Sequence, residues 1–126
     1  MKLVDKTGAE VEVVRDNAQY AYVEKRVDSG EEVGRSYFVP APNEDNTLIF
    51  FHTEVDDAYQ GRGLAGVLVR AVLDDLIAHG TTIVPSCPLF AAHLKKHGAQ
   101  FDAAGGKRRA VRIEDIQYLQ RVLGGQ

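Results

Sequence analysis

The chain has 126 residues, enough for one hydrophobic core and hardly for two, and its apolar content of 44% is that of an ordinary globular domain. A formal net charge of −3 gives no global attraction to polyanions, so neither a nucleic-acid nor a membrane-surface partner is expected. No apolar run approaches the ~20 residues of a membrane span, charge interrupts Met1-Lys2-Leu3-Val4-Asp5 too early for a secretory signal, and the single cysteine, Cys87, excludes an internal disulfide, so a cytoplasmic protein without a metal site is the default.

Antiparallel strands are predicted first: Val11 to Arg15, then Ala18 to Val27 after the turn Asp16-Asn17, then Gly34 to Val39 after Asp28-Ser29-Gly30. Pro40-Ala41-Pro42 and the polar run Asn43 to Asn46 turn the chain again. Thr47 to Val55 is the most strand-like segment. Alternation puts Ile49, Phe51, Thr53 and Val55 on one face and Leu48, Phe50, His52 and Glu54 on the other, and apolar residues on both faces at its start predict a central strand.

A helix is predicted from about Gly63 to His79, because Ala65, Leu68, Val69, Val72, Leu73 and Leu76 recur at helical spacing and Gly80 can end it. Thr81-Thr82-Ile83-Val84 reads as a short buried strand, parallel to the previous one because a helix separates them. Pro88 suits the first turn of a second helix, Leu89 to His97, which Gly98 is expected to stop. Asp102 to Arg109 looks like a linker, and Ile113 to Leu123 is a final amphipathic helix too short to stand without docking.

The chemistry is concentrated in Gln60-Gly61-Arg62-Gly63-Leu64-Ala65, between the central strand and the first helix. Unpaired N–H groups of a helix's first turn attract anions. Gly61 and Gly63 let the backbone approach a pyrophosphate, Ala65 lets the helix pack close to its strand, and Arg62 adds a positive charge. By spacing alone the segment is equally a tight turn. The dinucleotide fingerprint is not met, since Gly66 is out of place, and no Gly-Lys-Ser/Thr follows to make a nucleotide phosphate loop.

The pattern Gln/Arg-x-x-Gly-x-Gly/Ala, here Gln60, Gly63 and Ala65, resembles the coenzyme A pyrophosphate loop of the GNAT superfamily of N-acetyltransferases. Together with Phe50-Phe51-His52-Thr53-Glu54-Val55 and Val84-Pro85-Ser86-Cys87-Pro88, it is similar to the small YjdJ-type branch, from about Val11 to Phe101. The resemblance implies an α/β fold: a mixed, mostly antiparallel sheet with one splayed parallel strand pair, flanked by helices. It implies a domain over residues 1–104, followed by a linker and helix over 105–126. It further implies acetyl-coenzyme A as co-substrate, its pantetheine arm between Thr47–Val55 and Thr81–Val84, its pyrophosphate on Gln60, Gly61, Arg62, Gly63, Leu64 and Ala65, and a backbone N–H near Thr53 to Val55 polarising the thioester.

Larger members of the superfamily place two helices after the first strand as an acceptor wall. Here only Asp16-Asn17 intervenes, so an open cleft is expected, with the C-terminal helix covering it or forming a dimer contact. Three groups are candidates for handling protons. His52 and Glu54, on one face at the strand end, suit a base or a solvated strand end; Cys87, at a helix N-terminus between Pro85 and Pro88, suits a proton donor, a transient acyl acceptor or a small buried hydrophobe. His93 reads as a surface histidine, and Lys107-Arg108-Arg109 as a solvated linker, a contact for the 3′-phosphate or a contact for a nucleic acid. The function implied is acetyl transfer to a primary amine on a small molecule or protein; the alternative is a non-catalytic acyl-coenzyme A sensor or interaction module.

Overall fold

The computed structural model describes residues 3–124, and across them seven strands lie in chain order in one sheet. These are β1 (Leu3–Val4), β2 (Glu10–Asp16), β3 (Ala21–Arg26), β4 (Glu32–Pro40), β5 (Thr47–Val55), β6 (Thr82–Pro85) and β7 (Lys107–Arg108). Neighbours from β1 to β5 are antiparallel, whereas β5–β6 and β6–β7 are parallel. The two parallel joins follow helices, α1 (Leu64–Ala78) and α2 (Pro88–Ala103), as a parallel return requires a crossover. A third helix, α3 (Ile113–Leu123), ends the described chain. The mixed, mostly antiparallel sheet expected from the sequence is therefore present.

Helices α1 and α2 cover one face. Leu68, Val72 and Leu76 of α1 and Phe90, Leu94 and Phe101 of α2 pack with Tyr22, Phe38, Leu48 and Phe50 of the strands. Phe50 is the hub, with ring centroids 5.9 Å from Tyr22, 5.4 Å from Phe38 and 5.0 Å from Phe90. Each such ring pair adds ~0.5–1.5 kcal/mol to the area term. Toward the N-terminus of α1 the same face continues with Val11, Val33, Leu64 and Val67. On the opposite face, Leu119 of α3 docks on Ile49, Val84 and Ala41.

Two local features differ from the sequence expectation. In the β4–β5 ladder Tyr37 faces His52 while Phe38 faces Phe50, so Phe51 is an extra residue in a β-bulge. The bulge shifts the alternation by one. Thr53 and Val55 consequently share the α1 face with Leu48 and Phe50, whereas Phe51 joins Ile49 and Tyr118 on the α3 face and Tyr37 stacks on both Phe51 and His52. Secondly, Gly98 does not stop α2, which runs to Ala103 past a break at His97. Gly98 is buried inside that helix, where a Cβ would come 2.5 Å from the Arg108 guanidinium, so its small size admits a side chain from β7.

The segment expected to be a linker carries β7 and a clamp. Arg109 donates to both Glu44 oxygens, at 2.8 and 2.7 Å, and to both Asp115 oxygens, at 2.9 Å each. Asp115 also accepts the Arg112 N–H at 2.7 Å, which completes a capping box at the start of α3. Hydrogen bonds from Arg109, opposed by burial, hold the Asp115 carboxyl below the usual carboxylate range. Among the described residues no helix is long and apolar enough to cross a membrane.

Candidate functional site

β5 outruns β6. The last parallel pair is Phe50 with Pro85, and β5 continues for five residues beyond Phe50 with no strand on that side. The chain after β6 turns away at Ser86, and Cys87 N–H closes the fork by donating to the Phe50 carbonyl at 2.7 Å. Past the fork, Asp56 N–H donates to Val33 in β4. Because backbone groups alternate along a strand, the N–H and C=O of Val55 and of Thr53 point the other way, into the gap. Gln60 Nε2 meets the Val55 carbonyl there at 2.8 Å.

The gap opens into a cleft of about 380 Å³ lined by Thr53, Glu54, Val55, Gln60, Gly61, Gly63, Leu64 and Ala65, with Tyr59 and Leu89 completing its walls. Gly61 and Gly63 have φ of +80° and +74°, a left-handed conformation that favours glycine. Gly63 is the N-cap of α1 and no side chain caps the helix. Among the described residues, the N–H groups of Gly61, Arg62, Gly63, Leu64, Ala65 and Gly66 have no protein acceptor. A Cβ at Gly63 would also come 3.1 Å from the Lys6 side chain. Six uncommitted donors at the positive end of a 15-residue helix form an anion cradle of the kind a diphosphate fits.

The loop is braced from behind. Lys6 N–H donates to the Arg62 carbonyl at 2.9 Å, and the buried Asp5 accepts from Thr7 N–H, Thr7 Oγ1 and Ala9 N–H. Those hydrogen bonds, Thr7 first, hold Asp5 below its ordinary value against the opposing effect of burial. The Arg62 guanidinium lies 3.7 Å from Asp5 and 4.9 Å above the Tyr59 ring, so it leans toward this bracing hairpin and does not itself line the cleft. Leu64 likewise sends its side chain into the core, leaving its N–H as what it offers a ligand.

The three proton-handling candidates occupy two sides of β5. Cys87 is buried, and its Sγ lies 3.4 Å from Thr53 Oγ1, which in turn is 2.9 Å from Ser36 Oγ. The three groups form a thiol–hydroxyl–hydroxyl row. His52 and Glu54 lie together on the other face, Nε2 to Oε2 3.5 Å, both substantially exposed. Glu54 accepts the Tyr37 O–H at 3.1 Å, sits 3.6 Å from Arg35 and borders the cleft, which His52 does not. Burial, then Glu54, pushes the Tyr37 hydroxyl pKa up, so Tyr37 stays a donor.

The remaining candidates lie elsewhere. Arg108 is paired with Asp102 and Arg109 with Glu44 and Asp115, while Lys107 is beside Gly80, at the far end of α1 from the glycine loop. His93, half-buried, lies 5.0 Å from His97 with the two rings tilted, and burial, then His97 and Arg70, lower its pKa. No group of three His, Cys, Asp or Glu suited to a metal occurs among the described residues.

Tyr59, Leu89 and Tyr37 were not singled out from the sequence. Leu89 had a readable signal, since it falls outside the Phe90, Leu94 and Phe101 core register and follows the helix-starting Pro88. Tyr37 had none, because its approach to Glu54 depends on the bulge.

The sequence model of a GCN5-related N-acetyl-transferase family matches residues 14–103, more than two thirds of the chain. The match spans the fork, the glycine loop and both α1 and α2. Among curated proteins no match is found.

Proposed function

This chain belongs to the GCN5-related N-acetyltransferase family, whose members are acyltransferases, and from that membership we propose that it transfers the acetyl group of acetyl-coenzyme A to a primary amine, on a small molecule or a protein. The observation that carries the reading is the continuity of two backbone edges: Thr53 and Val55, which face the fork with no strand paired there, and the six N–H groups from Gly61 to Gly66 at the head of α1, which have no acceptor among the described residues. The first edge suits the amide-bearing pantetheine arm, and the second suits the pyrophosphate. The absence of helices between β2 and β3 supports placement in the small YjdJ-type branch.

Acetyl-coenzyme A supplies the activated acyl group. The N–H groups of Thr53 and Val55, which face the gap, suit the charge that develops on the carbonyl oxygen at the fork. Glu54, which borders the cleft, takes the amine proton directly or through water, and His52 supports it from 3.5 Å. Cys87 is suited to giving a proton to the departing thiolate, because its Sγ lies 3.4 Å from the Thr53 hydroxyl, beside the fork.

Release of free thiol from acetyl-coenzyme A with an amine panel tests this reading. Glu54→Gln is expected to lower kcat by ~100-fold or more, with acetyl-coenzyme A affinity unchanged by calorimetry. Tight binding with no thiol released to any amine would instead leave a binding module.

A further inference from the structure

We propose that the groove beneath α3 is the acceptor pocket and that it selects amines with an apolar body, arylalkylamines above all, over polyamines and lysine side chains. The inference rests on the acetyl-transfer reading above and names its acceptor class. The groove holds about 430 Å³ and is walled by Tyr20, Tyr37, Val39, Phe51, Tyr118 and Val122; among the described residues no Asp, Glu, Lys, Arg or His lines it. Its size and apolar lining with a few hydroxyls are those of a small-molecule site.

Three observations tie it to the reaction. The Phe51 bulge brings an aromatic ring to the face that carries His52 and Glu54, and Tyr37 stacks on Phe51 at 6.3 Å while its hydroxyl holds Glu54 at 3.1 Å. Tyr37, one wall of the groove, therefore carries its hydroxyl to a carboxylate that borders the cofactor cleft. An ammonium group that follows the Tyr37 ring out of the groove meets its counter-charge at Glu54, beside aromatic faces that favour cations. Tyr20 is held at φ +52°, uncommon for a bulky residue, with its carbonyl accepting from Phe38 N–H at 2.9 Å, which fixes an aromatic ring at the other end. Finally, α3 anchors through Leu119 but leaves Tyr118 and Val122 lining open space, so the helix forms a wall and does not fill the groove.

An amine bound this way has its nitrogen at Glu54 and its body along Phe51, Tyr37 and Tyr118. The bound ammonium first gives one proton to Glu54, which passes it to solvent. The neutral nitrogen then attacks the thioester carbonyl. As the C–N bond forms and the C–S bond breaks, it loses its second proton to Glu54 while the departing thiolate gains one from Cys87 or solvent, leaving amide, free thiol and one released proton. A second ammonium, as in a polyamine, would lie among apolar walls with no partner, at a desolvation cost.

The test compares kcat/KM for 2-phenylethylamine, spermidine and an Nα-acetyl-lysine amide by thiol release, and follows 2-phenylethylamine binding separately by NMR titration. Expected are a preference of roughly 30-fold for 2-phenylethylamine, shifts centred on Tyr37, Phe51 and Tyr118, and a loss of tenfold or more in Phe51→Ala. Val122→Arg, at a half-exposed position that leaves the core intact, is expected to block the groove while the acetyl-coenzyme A affinity holds. Equal or faster turnover of spermidine or the lysine amide, or shifts away from the groove, overturns the acceptor assignment and leaves acetyl transfer standing. A dimer in sedimentation that Val122→Arg dissociates, with no amine binding, overturns it in favour of a second copy as occupant. No acetyl-coenzyme A binding and no thiol release with any amine overturns the underlying transferase reading instead.

Discussion

Glu24 gives the sharpest quantitative consequence of this fold. It is fully buried on the α1 face of β3, and among the described residues neither of its carboxylate oxygens has a hydrogen-bond partner. Its space exists because its cross-strand neighbour is Gly34, where a Cβ would come 2.8 Å from Oε1. Burial first, and the charge of Asp5 second, push its pKa from 4.5 up to about 8. The protonated form is thus the one the folded state favours. The unfolded chain ionises near 4.5, so this group's contribution is fully present below that pH and is lost as pH rises through about 8. Between pH 6 and pH 8 linkage gives a loss of about 2 kcal/mol. Glu24→Gln removes the titration. Urea unfolding of both proteins at pH 6, 7 and 8 checks it: the difference in stability between variant and wild type should grow by about 2 kcal/mol across the range, groups common to both cancelling. Parallel pH profiles, within about 0.5 kcal/mol, would refute the reasoning, because they would mean that Glu24 is solvated or paired in solution.

Gly63→Ala forces a side chain onto a left-handed φ and against Lys6, and should cost ~1–2 kcal/mol while weakening acetyl-coenzyme A by tenfold or more in calorimetry, relative to a Gly105→Ala control that also has a positive φ but lies away from the cleft. Arg109→Ala leaves Glu44 and Asp115 facing each other without their shared cation; thermal and urea unfolding should show a loss of about 3 kcal/mol, with α3 the first element to lose amide protection in hydrogen exchange. Because Cys87 is buried beside a hydroxyl, mass spectrometry of protein mixed with acetyl-coenzyme A alone should show no acetyl adduct on it, and Cys87→Ala should keep measurable turnover; an adduct that an amine discharges would make the thiol a nucleophile.

The parts of the site that were legible in the sequence are those encoded by neighbours in the chain. Gly61 and Gly63 before an apolar helical repeat announce a left-handed loop and an uncapped helix head whatever surrounds them, since both follow from local sterics and helix hydrogen bonding. The same holds for the crossover from β5 to β6, which a helix between two apolar strands makes parallel. Alternation along β5 failed at Phe51 because an inserted residue changes which side chains share a face, and nothing in Phe50-Phe51-His52 distinguishes a regular strand from a bulged one.

Composition and local order in this chain determined the α/β class, the central strand, the first helix and the glycine-opened, uncapped head of that helix. Tertiary structure alone decided which face Phe51, Thr53 and Glu54 present, that Arg62 braces the β1–β2 turn, that Glu24 is sealed against Gly34, and that the tail is clamped by Arg109 to wall a groove. The physical reason is range. Helix heads and glycine dihedrals are set by bonds within a few residues, whereas strand register, ion-pair choice and burial depend on distant segments, such as those of Glu44 and Arg109, 65 residues apart, that meet only when the sheet closes around its core.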